Sequence, residues 1–186
     1  MQNEIFLIKI SGEDKPGLTS AITAILAENN INILDMGQAV IHNTLSLGIL
    51  AEIPAGDNSN RSVLKDLLFK AYTLQIHIDF EVITPESYAK WVSLQGKDRY
   101  IITMLSEKIT ARQISEVTEI IYKQGLNIDL ITRLSGRVPL SEVETPTQTK
   151  SCIELSVRGK PLNIQQVTEG FLEISQNYGI DIAFQK

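Results

Sequence analysis

The sequence has a single cysteine, only two histidines, fewer basic than acidic residues and no long apolar run. Cys152 alone cannot form an intrachain disulfide, and the lack of a membrane span or apolar leader predicts a cytoplasmic protein. Seventeen basic against 22 acidic residues give a net charge of −5, whereas nucleic-acid binding requires a basic face. His42 and His77 have no cysteine or acidic neighbours at metal-ligand spacing. Nucleic acid, membrane and a histidine-based metal site are therefore not expected.

The first part of the chain has the pattern of a strand, a loop and a helix, and its 43% hydrophobic content is ample for a packed core. Residues 5–10 are almost all apolar, as in a buried strand, and residues 11–17 combine Gly, Pro and charges, as in a loop. From Leu18 onward, apolar residues recur at i, i+3, i+4 and i+7 until Asn29 and Asn30. This spacing predicts a helix with one face packed on a sheet.

The same criteria predict the rest of the first half. Apolar runs and breakers place strands over residues 31–41, 45–53 and 74–83, with a second helix over residues 60–71. The order is therefore βαββαβ.

The second half repeats the first. A shift of about 95 positions places Ile10 on Leu105 and Asn32 on Asn127 without a gap for some thirty residues. Capping-box spacing marks both helix starts of this half, at Thr110 with Gln113 and at Asn163 with Gln166. The last strand matches only at a larger shift, so the second half contains an insertion between its second and third strands. We predict a module over residues 1–83, a linker over 84–98, and a second module over 99–186 with the insertion near residues 135–150.

The predicted fold class is α+β, with two ferredoxin-like βαββαβ modules. Each has a four-stranded antiparallel sheet with helices on one face. Right-handed crossovers place the first and third strands in the middle, which leaves the second strand at an edge. An edge as apolar as Ile31–Leu34 requires a partner strand, from the other repeat or from another chain. Tyr88 and Trp91 in the linker can pack against a module, where we expect a helical turn.

The most informative local segment is residues 12–19, between a strand end and a helix start. Unpaired amides and the helix dipole favour an anion there, such as a ligand carboxylate. Asp14 can accept from an ammonium group, Pro16 directs the chain into the helix, and Gly17 permits close approach to the backbone. These features together suit a free amino acid. The structural alternative is that Asp14 only caps the helix and that Pro16 and Gly17 only turn the chain.

A strand, a Gly-x-Asp-x-Pro-Gly loop, a helix and then Asn32–Ile33 resemble an ACT domain, and the resemblance covers both halves. More narrowly, residues 38–42, 45–48 and 125–129 resemble the paired ACT region ahead of the catalytic domain in bacterial phosphoserine phosphatases. The resemblance implies regulation by L-serine or a similar small amino acid. It also implies a haloacid-dehalogenase-type domain beyond Lys186, because the Asp-x-Asp-x-Thr or Val nucleophile motif is absent from these 186 residues.

Residue by residue, the resemblance implies a ligand site at Asp14, Pro16, Gly17, Leu18 and Asn32. Asn32 would face the ligand from the exposed second strand, so the site would lie at an interface. In the second repeat the loop residues are replaced by Ile109, Ala111 and Arg112, although Asn127 is retained. We therefore expect the second repeat to be a structural partner and the first to be the sensor.

No catalytic residue, metal or cofactor is expected within the chain, and Mg²⁺ would belong to the absent phosphatase domain. The expected partners are a small amino acid, that catalytic domain, and a second copy joined through edge strands. An alternative is a free-standing tandem protein similar to the glycine-cleavage repressor type, which acts on a partner protein. An enzyme in its own right has no supporting arrangement of residues.

Overall fold

A computed structural model of the chain describes residues 3–55, 59–95, 98–136 and 150–186. The chain divides into two compact units, residues 1–93 and residues 94–186, here called unit 1 and unit 2. Each unit has the predicted βαββαβ order, and a further helix follows in unit 1.

The described residues of unit 1 form four strands and three helices. Its elements are β1 (Asn3–Glu13), α1 (Leu18–Glu28), β2 (Asn32–Ile41), β3 (Thr44–Pro54), α2 (Ser59–Leu74), β4 (His77–Ile83) and α3 (Pro85–Ser93). The sheet is antiparallel with the order β2-β3-β1-β4, which confirms that the first and third strands are central and the second lies at an edge.

Unit 2 repeats this architecture with the sheet order β6-β7-β5-β8. Its elements are β5 (Arg99–Ser106), α4 (Ala111–Lys123), β6 (Asn127–Arg133), β7 (Ser151–Arg158), α5 (Ile164–Tyr178) and β8 (Asp181–Gln185). Most of the predicted insertion near residues 135–150 lies outside the described residues. None of the helices in the described ranges combines the length and hydropathy needed to span a membrane.

The core of unit 1 lies between the sheet and the helices α1 and α2. Leu18, Ile22 and Leu26 are buried, as their helical spacing predicts, and they pack with inward-facing strand residues such as Ile8 and Ile49. Unit 2 has an equivalent core, which includes Val117 and Ile121 of α4. The helices therefore cover one face of each sheet.

Three helices end in the same hydrogen-bonded motif. At the end of α1, Asn30 adopts φ 53°, and its amide and that of Ile31 donate to Ala27 and Leu26. Gln75 (φ 56°) and Gly125 (φ 70°) occupy the same position after α2 and α4. Glutamine is an unusual residue for a left-handed position, so it gives no signal of a helix end. The prediction therefore ended α2 at residue 71 and began β4 at residue 74, whereas α2 ends at Leu74 and β4 begins at His77.

The capping predictions for unit 2 are confirmed with one change. Thr110 and Gln113 form a reciprocal capping box at the start of α4. The Asn163 side chain caps α5, but the Asn163 amide donates to Oε1 of Gln124 (2.8 Å). Gln124 is 8% exposed, and its Nε2 donates to Gln166 (3.1 Å). In the predicted capping box, the Gln166 side chain would accept from the Asn163 amide. Gln124, which is distant in sequence, accepts from it instead, and sequence spacing cannot show this.

The first strand is longer than predicted. Residues 11–13 were predicted to be loop, but they pair with Thr44–Ser46 of β3. At Gly12 an added Cβ would lie 2.8 Å from Ile76 Cγ2. Gly12 therefore allows the chain entering β4 to pass close to β1, which gives this glycine of the loop motif a packing role.

The gapless register between the halves is wrong by one residue in the first strand. Ile10 is buried and corresponds in burial to Met104, whereas the shift of 95 positions pairs it with the half-buried Leu105. A one-residue slip moves a strand side chain to the opposite face of the sheet, so burial settles the register. The shift of 95 does hold for the helix faces, where Ile22 matches Val117. The chain from Met104 to Val117 is consequently one residue longer than the chain from Ile10 to Ile22.

The linker forms a complete helix where a single turn was expected. Thr84 Oγ1 accepts from the Ser87 amide (3.2 Å) at the start of α3. Tyr88 and Trp91, which lie one turn apart, are half-buried. They point toward Leu7 and Leu50 on the sheet face opposite α1 and α2, here called the outer face of unit 1.

Candidate ligand site

The loop between β1 and α1 is built on a tight turn. The Leu18 amide donates to the Lys15 carbonyl (3.2 Å), and Gly17 has φ 85° and ψ −2°. These angles are those of the third residue in a type II turn, where glycine is favoured, and proline is favoured at the second position. The structural interpretation of Pro16 and Gly17 as turn residues is therefore correct.

The loop nevertheless leaves backbone donors available at the start of α1. The first helical bond runs from the Ala21 amide to the Gly17 carbonyl, so the amides of Thr19 and Ser20 precede it. No side-chain cap hydrogen bond closes this helix. The alternative that Asp14 is a helix cap is wrong, because Gly17 occupies that position. The helix dipole and these amides favour an anion.

Asp14 is held at this end of the sheet by its backbone. Its amide donates to the Asn43 carbonyl in the β2–β3 turn (2.7 Å), and its side chain is exposed. The exposed carboxylate and the amides of α1 thus belong to one short segment. A ligand with both an ammonium and a carboxylate group has complementary charges to these two features.

Two of the predicted site residues are placed differently. Leu18 is 3% exposed, and its amide is used by the turn, so its role is in the core. Asn32 pairs with Glu52 and Ile41 pairs with Thr44, so Asn32 lies at the end of the sheet far from the loop. The prediction that Asn32 faces the loop is therefore wrong within one unit.

The side chain of Asn32 binds within its own sheet instead. Its Nδ2 donates to Oε2 of Glu52 (3.2 Å). Hydrogen bonds from Asn3 and then Asn32 hold the pKa of Glu52 below its ordinary value of 4.5. Glu52 was not singled out in the sequence, because twenty positions separate it from Asn32 and only the strand register brings them together.

We expect the variant Asn32→Ala to raise the pKa of Glu52 toward 4.5, because one of the two stabilising hydrogen bonds is lost. A carboxyl group with a lowered pKa stabilises the fold above its unfolded pKa and loses this contribution as pH falls through its folded pKa. The variant should therefore show a weaker acid dependence of stability. NMR titration of the Glu52 carboxyl carbon measures the shift. Asn127→Ala is the matched control, and an equal effect in both variants would contradict the assignment.

A second contact joins α1 to the edge strand. Thr19 Oγ1 donates to Gln38 Oε1 (2.6 Å), which connects the first turn of the helix to β2. The sequence contains no signal for this pair, because Thr19 and Gln38 are brought together only by the packing of α1 against the sheet. The contact connects the candidate ligand loop to the strand that lies exposed at the edge.

The corresponding position in unit 2 differs in its capping. The Thr110 and Gln113 capping box closes the start of α4 with side chains. Arg112 donates to Glu116 (3.1 Å), which also accepts from Tyr178 (2.5 Å). The Tyr178 hydrogen bond and then that of Arg112 lower the pKa of Glu116. This helix start is thus satisfied internally, which is consistent with a structural second repeat.

The described residues contain no cluster of three or more His, Cys, Asp or Glu side chains that could hold a metal ion. The candidate site offers charge complementarity and hydrogen-bond donors. The fold is a tandem of two ferredoxin-like βαββαβ modules, and the candidate site lies in the first of them.

Comparison with known protein families identifies both modules. A family model described as an ACT domain matches residues 4–81, and a second ACT-domain model matches residues 99–185. The chain belongs to the ACT-domain family and contains two such domains. ACT domains are amino-acid-sensing regulatory modules that generally dimerise.

Its sequence relatives include two bacterial phosphoserine phosphatases. The chain is 32% identical over 130 residues to phosphoserine phosphatase SerB2 of Mycobacterium tuberculosis, a match that covers 69% of this chain and 30% of the relative. It is 26% identical over 178 residues to phosphoserine phosphatase of Streptomyces coelicolor, which covers 95% of this chain and 38% of the relative. The matched parts are therefore about a third of each relative's length.

Solved structures share the fold of both units. A protein from Galdieria sulphuraria has a TM-score of 0.72 at 16% identity, with 99% of this chain and 98% of the other covered. The structure of a protein named a putative glycine cleavage system transcriptional repressor has a TM-score of 0.64 at 14% identity. The match covers 100% of this chain and 98% of the other. At identities this low, the similarity to these two structures shows a shared fold and no shared function.

Proposed function

We propose that the chain is the amino-acid-sensing region of a phosphoserine phosphatase and that its ligand is L-serine or a similar small amino acid. The observation that carries this proposal is the β1–α1 loop of unit 1. There the exposed Asp14 side chain and the uncapped amides of Thr19 and Ser20 suit the two charged groups of an amino acid. The sequence similarity to two phosphoserine phosphatases supports the choice of serine.

The separation of Asn32 from the loop leads to a proposal about assembly. β2 is an edge strand, and its apolar side chains Met36, Val40 and Ile41 are 45%, 38% and 77% exposed. When two such edges pair antiparallel, the start of one strand lies beside the end of the other. Asn32 of one copy would then lie near the Asp14 loop of the other. Both copies would contribute to each ligand site.

Such a site regulates by binding more tightly to one arrangement of the modules than to another. Ligand-dependent coupling of this kind is typically worth about 1–3 kcal/mol, which changes activity several-fold. In this proposal the modules bias a phosphatase domain and contact no phosphate ester themselves. Any Mg²⁺ that the phosphatase reaction requires would belong to that domain.

Calorimetric titration of the purified chain with L-serine tests the proposal. We expect a saturable heat and a rise in melting temperature, and we expect Asp14→Ala to abolish both, because the ammonium group loses its acceptor. Asp66→Ala is a matched control, since Asp66 is also exposed but lies on α2. D-serine is the ligand control. The absence of any response of the unmodified chain to L-serine or glycine contradicts the proposal.

The alternative, a free-standing tandem protein that acts on a partner, is supported by the fold likeness alone. The sequence relatives favour the hypothesis of a phosphoserine phosphatase. The gene sequence beyond Lys186 distinguishes the two. An Asp-x-Asp-x-Thr or Val motif soon after this residue supports a phosphatase, and a stop codon supports the free-standing protein.

A further inference from the structure

A small cavity lies between α3 and the outer face of unit 1. Its volume is about 220 Å³, and Leu7 and Leu50 of neighbouring strands form its floor. Tyr88 and Trp91 of α3 form its roof, with ring centroids 5.8 Å apart and ring planes inclined by 35°. An apolar cavity of about 150 Å³ is large enough to bind benzene. The space under α3 is therefore sufficient for a small organic molecule.

Among the described residues that line this cavity, one has a charged side chain. Asp35 of the edge strand β2 lies opposite Leu50, on the outer face of the sheet. Its carboxylate accepts from the Met36 amide (2.9 Å), and it forms no ion pair with a basic side chain in the described parts of the chain. The other described residues that line the cavity are uncharged. The cavity is consequently apolar and aromatic with a single negative group.

A β-bulge brings Asp35 to this position. The pairing of β2 with β3 shifts between Ile33 and Asp35, so Asp35 lies opposite Leu50 on the outer face and not opposite Ile49 on the helix face. The same bulge occurs in β6, where Leu130 follows it. The bulge is therefore part of the fold, and the carboxylate is specific to unit 1. Because unit 2 has the apolar Leu130 here, the fold does not require a charge at this position.

We propose that this cavity binds a small organic ammonium ion that carries an apolar chain and no carboxylate. The chain would lie against Leu7 and Leu50, and the ammonium group would pair with Asp35. Aromatic faces also attract cations within about 6 Å of the ring centroid, so Tyr88 and Trp91 suit the same group. A free amino acid fits less well, because Asp35 repels its carboxylate. The site is thus distinct from the serine site and does not depend on it.

Trp91 makes the cavity directly observable, because it is the only tryptophan in the chain. We use isopentylamine as the probe and isopentanol as its neutral counterpart, with leucine as the amino-acid counterpart. Tryptophan fluorescence of the full chain should change saturably with isopentylamine, with half-saturation at about 1–10 mM, as expected for a ligand of so few atoms. Isopentanol and leucine should bind about fivefold more weakly, because an exposed ion pair contributes a factor of this size.

Two variants make the test specific. Asp35→Asn should remove the preference for the amine over the alcohol, while Asp66→Asn, which makes the same charge change on α2, should preserve it. Leu50→Phe fills the cavity and should abolish the response to both probes. Equal binding of amine and alcohol by the unmodified chain would overturn the proposal. It is also overturned if neither probe gives a saturable change, or if Asp35→Asn keeps the preference. None of these results depends on L-serine binding.

Discussion

Replacing Ile22 with alanine is expected to lower the free energy of unfolding of unit 1 by about 3 kcal/mol. Ile22 is 0% exposed and lies in the middle of the buried face of α1. Alanine removes three methyl or methylene groups from the core, and the surrounding side chains fill the resulting space only in part. For a domain of this size, the corresponding fall in melting temperature is about 10–20 °C.

Chemical denaturation followed by tryptophan fluorescence measures this effect in unit 1, because Trp91 lies on α3 of that unit. Leu68→Ala is the matched control. Leu68 is a helical leucine of α2 that is 49% exposed, and its truncation should cost less than about 1 kcal/mol. If the two variants lose the same stability, Ile22 does not have the packing that the structure assigns to it.

Gly12→Ala is expected to destabilise unit 1 by about 1–3 kcal/mol through overpacking. The new Cβ would lie 2.8 Å from Ile76 Cγ2, and the Ile76 Cβ and Cα atoms at 3.2 and 3.3 Å leave little room for adjustment. Because Cα belongs to the backbone, the chain between α2 and β4 has to move. The measurement is the same denaturation experiment. Gly37→Ala on β2 is the control, since an added Cβ there has no neighbour within 4 Å.

A double-mutant cycle with Ile76→Ala separates this steric effect from a general effect of alanine in a strand. Ile76 is 9% exposed, so its truncation is itself destabilising. If the two side chains clash, the double variant should be more stable than the sum of the single changes predicts, by about 0.5–3 kcal/mol. Strict additivity would show that the loss of stability in Gly12→Ala does not come from contact with the Ile76 side chain.

Much of the fold could be predicted from local patterns. The i, i+3, i+4 spacing of Leu18, Ile22 and Leu26 predicts the buried face of α1 correctly, because helical geometry alone places these residues together. Likewise, the right-handed crossover rule is sufficient for the strand order. The end of α2 was misplaced because Gln75 adopts the left-handed conformation for which glycine is the usual signal.

The candidate site could be predicted only in part. The loop residues Asp14 and Gly17 are only three positions apart, and the turn and open helix start in this segment are local features. Asn32 was associated with them by resemblance to a family. The antiparallel order of β1, β3 and β2 places the start of β2 and the end of β1 at opposite ends of the sheet. Asn32 can therefore lie near an Asp14 loop only if that loop belongs to another copy or module, as the edge-strand pairing proposed above would allow.

The sequence by itself determined the tandem repeat, the βαββαβ order of each module and the turn chemistry of the first loop, because each depends on residues close together along the chain. The tertiary structure decided what depends on register and packing. It placed Asn32 against Glu52, brought Ile76 onto Gly12, and turned Asp35 toward the aromatic side chains of α3. Such contacts join residues about 20 to 65 positions apart, and side-chain periodicity does not specify which of them meet.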